Sequence, residues 1–253
     1  MSLNNKLAVV TGGSRGIGAA IALELAKRGA DVLVTYTSNQ SKAESVKDQI
    51  TALGRRSAAI RADQSTIDVG KVVLKGLQES FGVGAERKLD ILVINAGISS
   101  RTPTLDFELE KFTSFMNTNV RGPMLLVRDL APFLSSTGRI LANTSIVARH
   151  PAPDQDAYTA SKAALEALVR QWAYTLPDHY KGVTANSFAP GPVVTDMMKG
   201  YEALFDKVKE DTPVDRRLGE VGDIADVVAW MAGEESRWIT GQSIQLNGGR
   251  LML

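Results

Sequence analysis

Cysteine is absent from this 253-residue sequence, and only two histidines are present. The lack of cysteine excludes a disulfide framework, a thiolate zinc site, an iron–sulfur cluster and a cysteine nucleophile. It agrees with a reducing compartment without requiring one, because secreted proteins can also lack cysteine. With so few histidines, any acid–base chemistry has to come from another type of side chain.

An excess of charge of one sign is also missing, since 29 basic side chains face 28 acidic ones. This balance excludes a nucleic-acid binder that relies on a large basic footprint. No run of the sequence approaches the roughly 18 apolar residues of a membrane-spanning helix. The N-terminus lacks the apolar core of a signal peptide. We therefore expect a cytoplasmic protein with no membrane or nucleic-acid partner.

Short aliphatic or β-branched runs alternate with longer stretches of helical spacing along the whole chain. The runs predict strands at 7–11, 32–36, 58–62, 91–94, 139–143, 183–188 and 243–246. They are too continuously apolar to leave one face in water, which is typical of a parallel sheet covered on both sides. The alternation predicts one doubly wound α/β domain over residues 1–253, with about seven parallel strands.

Helical spacing covers the stretches between these runs, namely 17–28, 41–53, 69–81, 107–134, 157–176 and 224–231. The stretch 191–217 is different, because it far exceeds the two to six residues of an ordinary connection. It starts at the end of a predicted strand and carries Met197, Tyr201 and Phe205 among charged residues. We predict a substrate-binding loop or lid there; the alternative is a surface helix with a stripe facing the core.

Glycine, small or polar residues follow five of the predicted strands. Ligands of an open parallel sheet bind beyond the carboxyl ends of its strands, so these residues predict one continuous binding crevice. They are Gly12 to Gly18, Asp63, Asn95 to Gly97, Thr144 with Ser145, and Pro190 to Pro192.

The first of these segments is a glycine loop, Gly12-x-x-x-Gly16-x-Gly18, between a strand and a helix. Glycines let the backbone approach a ligand closely, and the helix N-terminus attracts an anion, so the loop predicts a phosphate cradle. A tight connection without a ligand is the alternative. The loop also matches G-x-S-x-G, with Ser14 as a hydrolase nucleophile. Against that interpretation, no earlier strand exists to supply the second oxyanion N–H.

Tyr158 and Lys162 stand four residues apart. On a helix this spacing places both side chains on one face, about 6 Å apart along the axis. A lysine ammonium favours the phenolate, so we predict that Lys162 lowers the pKa of Tyr158 from its ordinary value of about 10. The tyrosine would then be a usable proton donor and acceptor near neutral pH. A solvated helix pair is the alternative.

These motifs, in this order and at this spacing, resemble the short-chain dehydrogenase/reductases over essentially the whole chain. Ser145 stands thirteen residues before Tyr158, as in that family. The chain is most similar to 3-oxoacyl-carrier-protein reductases and to fungal polyhydroxynaphthalene-type ketoreductases, also in its ending from Trp238 to Gly249. The resemblance implies a Rossmann-type sheet.

The resemblance also implies a role for each of four catalytic residues. Tyr158 would protonate the carbonyl oxygen of the substrate, and Lys162 would lower its pKa and hydrogen-bond the nicotinamide ribose. Ser145 would hydrogen-bond the substrate carbonyl. Asn119 would hold a water that links the lysine to a proton relay. Taken alone, Asn119 is more typical of a helix-breaking or capping residue.

The cofactor implied is NADP(H). The end of the second strand lacks the acidic residue that binds the ribose of NAD, and Arg15 can pair with a 2′-phosphate. By resemblance Asp63 would contact the adenine, and the segment from Pro190 to Thr195 would cover the nicotinamide. The predicted cofactor-binding residues are Gly12, Ser14, Arg15, Gly16, Ile17, Gly18, Tyr36, Thr37, Ser38, Asp63, Asn95, Ala96, Gly97, Tyr158, Lys162, Pro190, Gly191, Val193 and Thr195.

The function predicted is reversible, NADPH-dependent reduction of a ketone to a secondary alcohol, without a metal ion. The alternatives are an NADP(H)-binding scaffold or regulator without turnover, and the serine hydrolase. Ile146, Val147 and His150, together with the loop 191–217, predict a largely apolar or aromatic small-molecule substrate. The resemblance further implies a homotetramer. The predicted helix that carries Leu165, Leu168 and Trp172 is one candidate interface.

Overall fold

Seven parallel strands form one sheet in the computed structural model, which describes residues 2–84, 87–198 and 200–252. Their spatial order is β3-β2-β1-β4-β5-β6-β7. The strands are β1 (Leu7–Val10), β2 (Asp31–Tyr36), β3 (Ser57–Arg61), β4 (Leu89–Ile94), β5 (Leu134–Asn143), β6 (Thr184–Pro190) and β7 (Ser243–Leu246). The predicted fold class is confirmed.

Helices lie on both faces of the sheet. They are α1 (Gly16–Lys27), α2 (Gln40–Ala52), α3 (Val69–Phe81), α4 (Leu109–Met116), α5 (Gly122–Leu130), α6 (Asp156–His179), α7 (Phe205–Glu210) and α8 (Val221–Met231). One apolar cluster joins α3, α5 and α6 to one face of the sheet, and a second joins α1 and α8 to the other. Because both faces are covered, every residue of β1, β2, β4 and β6 is buried, as the continuous apolar runs predict.

Successive strands are added on one side of β1 up to β3 and on its other side from β4 onwards. This switch leaves a crevice beyond the carboxyl ends of β1 and β4, where the connections run to opposite faces. The glycine loop after β1 and the segment Asn95–Gly97 after β4 meet in this crevice.

The stretch predicted as helical over 107–134 is helical from Leu109 to Phe133, but it is not one regular α-helix. The structure has α4, a π-helical turn over Asn117–Arg121, α5 and a short 3₁₀ turn over Ala131–Phe133. Pro123 has no amide hydrogen to donate to the carbonyl of Asn119, its α-helical partner, so a regular α-helix cannot run through this point. Single π-helical turns of this kind are frequent at functional sites.

The interface predicted on α6 stays a prediction, but the three residues that marked it do not face outwards. Leu165 and Trp172 are buried in the core of the chain itself, and Leu168 packs against the same core. Their spacing fits a helix that turns its apolar stripe inwards. The outer face of α6 carries other residues, among them Tyr174, which is 81 % exposed. Within the described part of the chain, no helix combines the length and hydropathy needed to cross a bilayer.

Candidate active site

The glycine loop forms a tight turn between β1 and α1. Gly12 and Gly16 have φ values of +63° and +55°, which side-chain-bearing residues rarely adopt. A Cβ atom on Gly18 would lie 2.4 Å from the Gly12 carbonyl oxygen and 2.4 Å from the Asn95 side-chain nitrogen. The free N–H groups at the start of α1 follow directly. The loop thus has the tight turn that an anion cradle requires, and phosphate binding there stays a prediction.

Asn95 holds this loop to the neighbouring strands. Its Nδ2 donates to the carbonyls of Thr11 at 3.0 Å and Gly12 at 3.3 Å, and its Oδ1 accepts from Asn143 Nδ2 at 2.9 Å. The Thr11 hydroxyl accepts from the backbone N–H groups of Asn95 and Ala96, both at 3.0 Å. The side chain of Asn95 is therefore engaged with protein atoms. Its contribution is to fix the cradle, and a direct contact with the cofactor stays a prediction.

The predicted adenosine end of the crevice lies beyond β2 and β3. Tyr36 is the last residue of β2 and is largely buried, while Thr37 and Ser38 are exposed. The Asp63 carboxylate accepts from the backbone N–H and the hydroxyl of Ser65, both at 2.8 Å. These residues lie at the carboxyl ends of two neighbouring strands, and their contact with the adenosine stays a prediction. The structure does not test whether Asp63 binds adenine.

Two cations from different elements converge beside this end of the crevice. Arg15, at the N-terminus of α1, lies 3.7 Å from Oδ2 of Asp196. Lys42, in the first turn of α2, lies 3.6 Å from the same oxygen. Sequence reasoning found Arg15 but missed Lys42, because Lys42 stands six residues beyond the end of β2. Only the turn at the Asn39 cap brings it back to the glycine loop.

Tyr158 and Lys162 lie on one face of α6, one turn apart, as predicted. Lys162 Nζ is 5.6 Å from the centre of the Tyr158 ring, and it donates to the carbonyl of Asn143 at 2.7 Å. The lysine is only 4 % exposed. Gly97 leaves room for it, since a Cβ atom there would lie 3.4 Å from Lys162 Nζ and 3.1 Å from Asn119 Oδ1. The predicted residues Gly97, Asn119, Tyr158 and Lys162 are therefore brought together.

Asn119 projects from the π-helical turn and joins three elements. Its Oδ1 accepts from the N–H of Ile98 and its Nδ2 donates to the Ile98 carbonyl, both at 3.0 Å. The same Nδ2 donates to Ser161 Oγ at 3.0 Å, and that hydroxyl donates to the carbonyl of Tyr158 at 2.7 Å. Asn119 thus positions the helix that carries the tyrosine. The water implied by the resemblance is not tested, and Ser161 is a positioning residue that the sequence analysis missed.

Ser145 follows β5 and faces the tyrosine. Its Oγ accepts from the N–H of Val147 at 3.3 Å, which fixes the side chain at the start of a short 3₁₀ turn. A hydrogen bond from the Ser145 hydroxyl favours the phenolate form of Tyr158. A substrate oxygen between the two hydroxyl groups could therefore accept a hydrogen bond from each.

The predicted lowering of the tyrosine pKa is wrong. Burial raises the pKa of Tyr158 to about 12, against the smaller opposing effect of Ser145. Burial also lowers the pKa of Lys162 to about 8. Both groups lose solvation in the same pocket, and this loss disfavours the charged form of each. At neutral pH the site therefore holds a protonated phenol beside a lysine that is still mostly charged.

The segment after β6 crosses the glycine loop. The Val194 N–H donates to the Gly219 carbonyl at 2.9 Å, and the Gly219 N–H donates to the Pro192 carbonyl at 3.0 Å. These bonds tie the two ends of the stretch 191–217 together. Thr195 lies next to Gly16, where a Cβ atom would be 3.4 Å from its methyl group. Thr195 therefore borders the glycine loop, and contact of Pro190, Gly191 and Val193 with the cofactor stays a prediction.

The interior of that stretch contains α7 and two short 3₁₀ turns. Lys199 lies outside the described residues. Met197 and Leu204 are about half exposed, at 49 % and 47 %. The segment thus contains a short surface helix, and its role as a substrate-binding loop or lid stays a prediction.

The residues present fit a dinucleotide. A Cβ atom would fill the cradle at Gly18, two cations stand at the adenosine end, and a buried lysine stands near the opposite end. In the described ranges, no group of three or more histidine, aspartate or glutamate side chains could hold a metal ion. Arg15, Lys42 and the start of α1 would hold the phosphates, and Lys162 would face the nicotinamide ribose.

The chain is similar to known proteins along nearly its whole length. A family model described as enoyl-(acyl carrier protein) reductase matches residues 12–250. The short-chain dehydrogenase/reductase FrzI of Cladobotryum sp is 39 % identical, over 98 % of this chain and 96 % of that protein. The chain belongs to the short-chain dehydrogenase/reductase family.

Two further members of the family are similar along their full length. The 3-oxoacyl-[acyl-carrier-protein] reductase FabG of Staphylococcus epidermidis is 37 % identical, over 98 % of this chain and all of that protein. A short-chain dehydrogenase from Burkholderia cenocepacia, solved in complex with NADP, is 37 % identical with a TM-score of 0.90. That match covers 99 % of each chain. The predicted resemblance to this family is confirmed.

The hydrolase interpretation of Ser14 finds no partner for the serine. In the described part of the chain, no hydrogen bond joins Ser14 to His150 or His179. His179 stands at the far end of α6, about 30 Å along the helix from Tyr158. The hydrolase interpretation therefore has no support in the described residues, and cofactor binding by the loop around Ser14 stays a prediction.

Proposed function

We propose that this chain reduces the carbonyl group of a largely apolar ketone with NADPH, and that Tyr158 supplies the proton. One observation carries the proposal: the hydroxyl groups of Ser145 and Tyr158 meet beside the buried ammonium of Lys162, beyond a dinucleotide cradle. In the balanced reaction, a ketone, NADPH and one proton give a secondary alcohol and NADP⁺. The cofactor supplies the hydride when bound.

The charges at neutral pH suit reduction. A phenol with a pKa of about 12 keeps its proton in the ground state and gives it to an alkoxide, which is more basic. The phenolate that results stands close to the Lys162 ammonium, which stabilises it. Because this negative charge develops only during the reaction, the ion pair lowers the activation barrier without tightening substrate binding.

Activity should depend on the charge of Lys162. We expect kcat/KM for ketone reduction to be level at neutral pH and to fall as the pH rises through about 8, where Lys162 loses its proton. The loss of charge removes the partner of the developing phenolate. The profile should be measured from about pH 6 to pH 10, because kcat/KM reports the ionisations of the free enzyme. A level profile up to pH 10, with the protein still folded, would contradict this role of Lys162.

The substrate proposal rests on apolar residues in the segments that adjoin Ser145 and Asn119 and in the loop 191–217. Ile98 is bonded through its backbone to Asn119, and Met197 and Leu204 project from the substrate-binding loop. Val147 lies next to Ser145 in the same 3₁₀ turn. These surroundings favour an apolar or aromatic ketone. The FabG relative acts on a 3-oxoacyl group by its name, so a 3-oxoacyl thioester is a second candidate of the same reaction class.

A screen of NADPH consumption tests this function. The panel should contain bicyclic aromatic ketones, a 3-oxoacyl thioester and a 2-enoyl thioester, each with NADPH and with NADH. We expect consumption with ketones and higher efficiency with NADPH. Consumption only with the enoyl thioester would instead support the reaction named in the family description. No consumption with any compound, despite tight NADPH binding, would support a scaffold without turnover.

We further propose a homotetramer located in the cytoplasm. Large apolar side chains remain exposed on the outer elements, among them Tyr174 on α6 and Trp230 on α8. Where such side chains join into one contiguous patch, the patch marks a contact with another chain. Light scattering of the purified protein at increasing concentration checks this assembly: a mass of four chains is expected, and a single chain of 27.2 kDa would contradict it.

A further inference from the structure

The carboxylate of Asp196 occupies a position between two cations that face the adenosine end of the crevice. Arg15 Nη1 and Lys42 Nζ both lie within 3.7 Å of its Oδ2 atom. Arg15 belongs to the glycine loop, Lys42 belongs to α2, and Asp196 belongs to the segment that follows β6. Three separate parts of the fold therefore meet at one negatively charged oxygen.

This position has the chemistry of a phosphate site. A phosphate oxygen and a carboxylate oxygen accept the same charge-assisted hydrogen bonds from arginine and lysine. The N-terminus of α2 adds to the positive potential, and the Asn39 cap fixes its first turn by accepting from the N–H of Lys42 at 3.0 Å. The end of β2, where the ribose of a dinucleotide binds, lies three residues before that cap.

We infer that Asp196 competes with the 2′-phosphate of NADP(H) for Arg15 and Lys42. This inference rests on the proposed function. A dianionic phosphate at the two cations would lie beside the Asp196 carboxylate, and like charges at that distance repel. Asp196 thus weakens the binding of NADP(H) but not that of NAD(H), which has no phosphate there. Lys42 is accordingly a further determinant of cofactor specificity.

The same contact links cofactor affinity to the substrate-binding loop. Asp196 is adjacent to Thr195, which lies over Gly16, and the bonds between Pro192, Val194 and Gly219 hold this segment in place. Binding of the 2′-phosphate has to break or loosen the two ion pairs that attach Asp196 to the cofactor side. A substrate that favours the position in which Asp196 pairs with the two cations therefore weakens the binding of NADP(H). By linkage, NADP(H) weakens the binding of that substrate by the same factor.

Binding measurements on single variants test the inference without turnover. NADPH and NADH are titrated into the wild type, Asp196→Asn and Lys42→Gln, with cofactor fluorescence as the readout. Adenosine 2′,5′-bisphosphate and adenosine 5′-monophosphate serve as competitors that differ only in the 2′-phosphate. Asp206→Asn is the matched control, because Asp206 lies in the same loop and is 93 % exposed.

We expect Asp196→Asn to tighten the binding of NADPH and of the bisphosphate roughly three- to tenfold. The substitution removes the negative charge that repels the 2′-phosphate and occupies the two cations. NADH and the monophosphate should be unaffected. Lys42→Gln should weaken NADPH by a similar factor and leave NADH unchanged. In the double variant Asp196→Asn should tighten NADPH less than it does alone, because one of the two shared cations is gone.

Two outcomes would overturn the inference. Unchanged or weaker NADPH binding by Asp196→Asn would show that the carboxylate does not compete, and an equal gain for NADH would show an effect unrelated to the 2′-phosphate. In both cases a wild type that prefers NADPH and consumes it with ketones leaves the proposed function intact. A wild type that binds neither cofactor would instead refute the proposed function itself.

Discussion

Tyr158→Phe is expected to lower kcat for ketone reduction about a thousandfold, within the range that general acid catalysis contributes. The substitution removes the only hydroxyl group on the ring and keeps the edge-on contact with Phe115, whose ring centre is 6.2 Å away. NADPH affinity should change little, because the cradle and the two cations lie on other elements. Steady-state kinetics and a cofactor titration measure the two effects separately.

Tyr174→Phe is the matched control for this substitution. It makes the same chemical change on the same helix, at a side chain that is 81 % exposed and outside the site. Its kcat should equal that of the wild type. Near-normal turnover by Tyr158→Phe would mean that another group supplies the proton, and the assigned mechanism would then be wrong.

Gly18→Ala should abolish most of the NADPH affinity. The new methyl group would lie 2.4 Å from the Gly12 carbonyl, which is backbone and cannot rotate away. The loop has to shift, which moves the N–H groups of the phosphate cradle and disturbs the Asn95 bonds. We expect at least a tenfold loss of NADPH affinity and about 1–3 kcal/mol lower stability from the overpacking. Cofactor titration and denaturant unfolding measure these two quantities.

Gly222→Ala provides the comparison for this prediction. Gly222 lies in the first turn of α8, and a Cβ atom there meets no heavy atom within 4 Å. Alanine favours a helix over glycine, so this variant should bind NADPH normally and be at least as stable as the wild type. If Gly18→Ala behaves in the same way, the glycine loop does not form the cradle described here.

Strand periodicity predicted the architecture well, and the deviations have local causes. All seven predicted strands exist, and the continuous apolar runs of β1, β2 and β4 are fully buried because the sheet is covered on both faces. Strand β5 begins at Leu134 instead of residue 139, since Leu134 pairs with Leu89 across a register shift. Because Ser135, Ser136 and Thr137 are polar, this part of the strand does not form an apolar run and was not predicted.

The site was less predictable where long-range contacts decide the chemistry. The order of the motifs placed Asn119, Ser145, Tyr158 and Lys162 in one pocket, and the structure brings them together. The direction of the tyrosine pKa could not be read from the four-residue spacing, because it depends on how deeply the pair is buried. Lys42 and Asp196 were missed for a similar reason. Their proximity depends on how α2 and the segment after β6 fold back over the glycine loop.

The stoichiometry of a single reaction tests the central claim most directly. The protein should be mixed with NADPH and an accepted aromatic ketone, and the loss of NADPH absorbance compared with the alcohol formed. We predict one alcohol for each NADPH oxidised with the wild type, and almost no alcohol within the same reaction time with Tyr158→Phe at equal cofactor saturation. Loss of NADPH without formation of the alcohol, or equal amounts of alcohol from the two proteins, would contradict carbonyl reduction by Tyr158.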